Sequence, residues 1–170
     1  MKLKKTESLL SDVSSKVVSC SKAALYGRNA GTVNPQLDWD EFWCAAQYHQ
    51  LLPLILSVSD AHRFEFRSLK NKHRIIGNVS RICWKNQQLA GELLRLVACC
   101  SDKGLSVVPF KGPVLAVLAY ADVNLRSFGD LDLLVPKEQV VSVLNLLGDQ
   151  GYEIVPLIDE SRIDIYLQYE

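Results

Sequence analysis

Apolar residues recur along the first hundred positions with the period of a helix. Leu9, Val13, Val17 and Cys20 stand four, four and three apart, which predicts one amphipathic helix over residues 1–26. Residues 27–35, rich in Gly, Asn and a closing Pro, read as a loop. Asp38, with Glu41 three residues on, predicts a capping box that opens the next helix. Trp39, Trp43 and Ala46 form its apolar face. Pro53 interrupts, and a short apolar helix follows to about residue 58. From about residue 63 to 102 the period is clear again. Ile75, Val79, Ile82, Leu89, Leu93, Leu96 and Cys100 recur at three, four or seven. Gly77 and Gly91 leave open whether this is one helix or two, and Gly104 stands where a helix C-cap is expected.

After Gly104 the pattern shortens. Residues 105–110 read as a strand, Lys111-Gly112-Pro113 as a turn, and 114–120 as a helix that Pro113 suits at its first position. Residues 130–135 (Asp-Leu-Asp-Leu-Leu-Val) predict a second strand stopped by Pro136. Residues 137–147 predict a helix with Val140, Val143, Leu144 and Leu147 on one face. Residues 148–151 turn, and 152–156 and 162–168 predict two further strands. The order βαβαββ points to an α/β or α+β sheet domain appended to helices: a helical segment over 1–103 and a core over 104–170.

Composition narrows this only slightly. The chain has 170 residues, 48% hydrophobic and 22% charged, which is globular and not disordered. Nineteen basic residues balance nineteen acidic ones, so bulk attraction to nucleic acid or anionic membrane is excluded as the main clue. By segment the balance breaks: residues 61–95 carry eight basic and two acidic side chains, residues 122–170 three basic and ten acidic. The basic helix is a solvated face or an electrostatic wall for a nucleotide, an RNA end or an acidic partner. The lysines at the start precede no apolar run, and no apolar stretch approaches the roughly 20 residues of a membrane span. Five cysteines lack metal spacing, so buried free thiols in a reducing, cytoplasmic setting are expected. His49, His62 and His73 are dispersed and read as structural or surface residues, and Trp39, Trp43 and Trp84 as core.

The candidate chemistry lies in the acidic end. On a strand, side chains alternate faces, so Leu131, Leu133 and Val135 share one face and Asp130 and Asp132 the other, with Cα atoms about 6.6 Å apart. Adjacent carboxylates repel, and a divalent cation would relieve them; an oxygen-only donor set favours Mg²⁺ or Mn²⁺. Asp164, flanked by Ile163 and Ile165, joins them if its strand pairs alongside, giving the carboxylate set of a phosphoryl- or nucleotidyl-transfer centre. Lys111-Gly112 at a strand-to-helix turn suits a phosphate, and Arg126 suits a phosphate clamp or an ion pair to an aspartate.

The ordered set Asn86-Gln87-Gln88-Leu89, residues 104–112, Tyr120, Arg126 and residues 130–135 resembles the uncharacterised nucleotidyltransferase family of the DNA polymerase β-like superfamily. The resemblance covers about residues 38–170 and is most specific over 104–135. Trp39, Ala46, His49 and Pro53 match the family's helical N-terminal part more loosely. It implies an α+β fold: N-terminal helices followed by a small mixed sheet, the palm-like core. It implies that Asp130 and Asp132 match the metal-binding pair and Asp164 the third carboxylate. Lys111, Gly112 and Arg126 would hold the triphosphate. The implied reaction moves an NMP group from an NTP to an unknown acceptor (a protein, a small molecule or an RNA end), with Mg²⁺ or Mn²⁺, no membrane and no stable DNA binding. Two departures stand out. Tyr166 occupies the place of a usual His, and Lys111-Gly112 the place of the wider superfamily's Gly-Ser, which removes a hydroxyl. Family members also continue past this point. The alternative is a truncated or non-catalytic relative, an antitoxin-like or regulatory module that binds a partner.

Overall fold

The structure, a computed structural model, describes residues 3–26, 37–59 and 72–153, with the side chains of the first helix described from Val13 onward. Six α-helices and two strands are described: α1 (Leu3–Tyr26), α2 (Trp39–Tyr48), α3 (Leu52–Ser59), α4 (Lys72–Asp102), β1 (Val108–Phe110), α5 (Gly112–Tyr120), β2 (Asp132–Leu134) and α6 (Val140–Asp149). A single 3₁₀ turn, Lys137–Gln139, leads into α6. The predicted loop over 27–35, the start of the basic helix before residue 72, most of the third strand, the fourth strand and Asp164 lie outside the described residues.

The chain divides into two compact units, Met1–Ala90 with Gly112–Asp130, and Gly91–Lys111 with Leu131–Glu170. In the first unit the predicted periodicity becomes a core. Val13, Val17, Cys20 and Ala23 of α1 meet Phe42, Trp43 and Ala46 of α2, Leu52 and Ile55 of α3 and Ile75 of α4. Aromatic edges fill α2's side of it: Phe42 stands edge-on to Trp43 at 5.1 Å and to Trp39 at 5.4 Å. Asp38 caps α2 as expected, its Oδ1 accepting the Glu41 N–H at 3.0 Å. Pro53 falls in the first turn of α3, where a missing N–H costs nothing. Trp84 departs from expectation. It is 65% exposed, because it lies off the α4 face that Ile75 and Asn86 bury.

Helix α4 is unbroken over 31 residues, and neither Gly77 nor Gly91 interrupts it. A Cβ at either glycine would meet nothing within 4 Å, so both are open surface positions and not kinks. The helix stops where Gly104 predicts. Gly104 takes φ +68°, the Leu105 N–H donates to the Cys100 carbonyl and the Gly104 N–H to that of Ser101, a Schellman motif. The same closure ends α6 at Gly151, with Tyr152 donating to Leu147.

In the second unit Leu93, Leu96 and Cys100 of α4 and Val143 and Leu146 of α6 are buried. Polar groups join the same elements. Arg95 pairs with Glu92 at 2.7 Å and hydrogen-bonds Gln150, and the Tyr152 hydroxyl donates to Glu92 at 2.5 Å. These bonds, from Arg95 first and Tyr152 second, hold the Glu92 carboxyl down to about 2. Strands β1 and β2 pair antiparallel, with Val108 opposite Leu134, Pro109 opposite Leu133 and Phe110 opposite Asp132. Both are three residues long, shorter than the predicted strands. Pro109 lacks an N–H, and among the described residues its strand has a partner on one side only, where such a gap is tolerated. A mostly helical chain with this small sheet is an α+β protein.

Candidate functional site

The described residues among those predicted fall in two groups, Gly112, Arg126 and Asp130 in the first unit and Lys111 and Asp132 in the second. In the first unit the segment 112–130 leaves the Lys111-Gly112 turn, runs through α5 and returns. Its two ends meet: a Cβ on Gly112 would stand 3.3 Å from the Asp130 carbonyl oxygen. Gly112 also has φ +42°, so both the conformation and the space select glycine. Lys111 beside it has φ +57°, a left-handed conformation that costs a lysine about 1–2 kcal/mol.

Arg126 lies on the return path, in the loop between α5 and Asp130. Asn86, fully buried on α4, donates Nδ2 to the carbonyls of Val123 and Arg126, both at 2.8 Å. A helix side chain therefore fixes the loop that carries the arginine. Arg126 Nη1 is buried without a hydrogen-bond partner, as are Oδ1 of Asn86 and Oδ1 of Asn124. The ion pair to an aspartate that the sequence allowed is not formed with Asp130, whose side chain is exposed.

Lys85 stands beside the candidate residues, a placement that the sequence reading missed. Its Nζ lies 3.7 Å from the position a Cβ on Gly129 would take, one residue before Asp130. That is ordinary van der Waals distance, so the lysine head packs against the Gly129 backbone. Nothing in the helical period of α4 singles Lys85 out from the other cations of its face. Asn86 did leave a signal. It fills the gap of seven between Ile82 and Leu89, a polar residue in an apolar register.

In the second unit Asp132 opens β2, half-buried and directly opposite Phe110. Leu134 on the same face is exposed at 55%, while Leu131, Leu133 and Val135 are half-buried like Asp132, so the apolar face expected in the core is only partly covered and the alternation is incomplete. Lys111 follows Phe110 and holds its Nζ 4.9 Å from the ring centroid. Among the described residues no three His, Cys, Asp or Glu side chains gather, and Asp164 lies outside them.

Among the described residues, no helix is long and apolar enough to cross a membrane. The α+β fold class is consistent with a nucleotidyltransferase-like domain. The family model described as uncharacterised nucleotidyltransferase matches residues 35–166, and the chain belongs to that family. Membership supports nucleotidyl transfer in general terms. No curated protein and no solved structure matches the chain.

Proposed function

We propose that the protein transfers an NMP group from an NTP to an acceptor hydroxyl, with Mg²⁺ or Mn²⁺ held by Asp130, Asp132 and Asp164. The family match over residues 35–166, with Lys111, Gly112, Arg126, Asp130 and Asp132 in order inside it, carries the reading. The donor chemistry suits such an ion: Asp130 is exposed, Asp132 is half-buried, and both present oxygen only. The bound cation would neutralise phosphate charge and align the triphosphate. The Gly112 amide, Lys111 and Arg126 hold phosphate oxygens. Asp164 accepts the proton of the acceptor hydroxyl. That oxygen bonds to the α-phosphorus, the α–β bridging bond breaks, and pyrophosphate leaves.

Substituting Asp130→Asn with Asp132→Asn should abolish Mg²⁺-dependent transfer of label from α-³²P NTPs into cell extract. Transfer at the wild-type level would sink the assignment. The second reading, a non-catalytic partner-binding module, draws support from Gly112, which lacks the hydroxyl of the superfamily's Gly-Ser. It predicts no label transfer from any NTP by wild type, together with nucleotide-independent capture of a partner.

A further inference from the structure

We propose that the cationic face of α4 in the first unit binds the single-stranded end of an RNA, and that this RNA is the acceptor. Arg74, Asn78, Arg81 and Lys85 stand four, three and four residues apart, so they fall within about 60° of one helix face and span about 16 Å along its axis. Arg74, Arg81 and Lys85 are exposed, and none is paired with a described carboxylate. From residue 72 to residue 91 the helix has no acidic side chain to oppose them. A row of cations at that spacing, free of carboxylate partners, is the complement of a phosphate chain, and a flexible strand can follow it.

The two ends of the row are different, and each adds to the assignment. At one end lies a groove of about 470 Å³ lined by Cys44, Gln47, Tyr48, Arg74 and Asn78. Tyr48 is 83% exposed, with its ring braced edge-on by His49 at 5.1 Å. An exposed, braced ring beside an arginine is a platform for an unstacked base. Asn78 Nδ2 reaches Gln47 Oε1 at 3.4 Å, so two amides face the groove with donors and acceptors that a base edge or a 2′-hydroxyl can use. At the other end Lys85 lies against Gly129, beside Asp130. A strand laid along the row thus runs from a base platform to the carboxylate placed in the transfer reaction. Duplex DNA fits poorly, because its bases stay stacked and offer Tyr48 no face. The acceptor role rests on the nucleotidyl-transfer reading, whereas the binding surface does not.

Fluorescence anisotropy with a labelled single-stranded RNA of about 12 nucleotides tests the surface. Binding should weaken with salt. Arg74→Ala and Arg81→Ala should each reduce the slope of log K against log salt by about 0.7. Tyr48→Ala should weaken binding about tenfold and leave that slope unchanged. The double variant Asp130→Asn, Asp132→Asn should still bind RNA, so a failed transfer reaction leaves the surface measurable. Loss of RNA binding in wild type with transfer intact overturns the surface alone. Equal affinity for DNA of the same sequence overturns the choice of RNA. Displacement of the RNA by polyglutamate at equal charge overturns it in favour of an acidic protein.

Discussion

At the scale of single residues, the turn between β1 and α5 sets the strictest demands. Gly112 sits in the left-handed region with the Asp130 carbonyl 3.3 Å from its would-be Cβ. Gly112→Ala should therefore destabilise the protein by about 1–3 kcal/mol in urea unfolding. Lys111→Gly should do the opposite, raising stability by about 1 kcal/mol while weakening triphosphate binding in a nucleotide titration. The paired outcome separates backbone strain at Lys111 from its proposed part in binding. Among the described residues, Glu92 is a carboxylate whose ionisation bears on stability. Its carboxyl, held down to about 2 by Arg95 and Tyr152, contributes stability above its unfolded value, and the contribution is lost as pH falls toward 2. The pair is partly exposed, so the effect is modest. Glu92→Gln should flatten stability against pH between about 4.5 and 2, measured by denaturant midpoints across that range. An unchanged pH profile would show that the Arg95 contact stabilises nothing.

At the scale of elements, α4 shows what sequence can and cannot tell. Its apolar period announced the helix, its C-cap glycine and its buried face. The two glycines left its continuity open, because a glycine weakens a helix without specifying a break; only the open space around them decides that they sit on the surface. Asn86 completes the heptad that Ile82 and Leu89 leave vacant, and its buried amide holds the loop bearing Arg126. Asn86→Ala should cost about 2–4 kcal/mol, since two carbonyls lose their donor. Hydrogen exchange should quicken across residues 121–130 more than in α1–α3. Lys85 was illegible for a different reason. Its placement comes from the approach of Gly129, a contact between positions 44 apart that no local pattern encodes. Strand lengths were overestimated because residues 105–110 and 130–135 are β-like throughout, while only three residues of each pair.

At the scale of the whole molecule, the balanced charge resolves into separate parts. The basic stretch keeps, among the described residues, a helix face without carboxylates, and the acidic end supplies Asp130 and Asp132. The cysteines divide as well. Cys20 and Cys100 are buried, and burial pushes both thiols up, whereas Cys44 is exposed. A thiol reagent at neutral pH should modify Cys44 first and reach Cys20 and Cys100 only on unfolding. Mass mapping of partially labelled protein checks the order; early modification of Cys20 would contradict the packing of α1.

The meeting of Gly112 with Asp130 makes residues 113–129 a cassette with clamped ends. Its apex, Ala121 and Asp122, is exposed, and Ala121 already closes α5 in the left-handed conformation. Foreign sequence spliced there, such as a peptide tag or a dye-bearing loop, lengthens a segment whose ends are held by other contacts, so the entropic penalty grows only slowly with length. The same splice at residue 111 or 129 would prise the clamp apart. The molecule thus offers one position for a reporter that leaves both the loop anchor and the carboxylate strand in place.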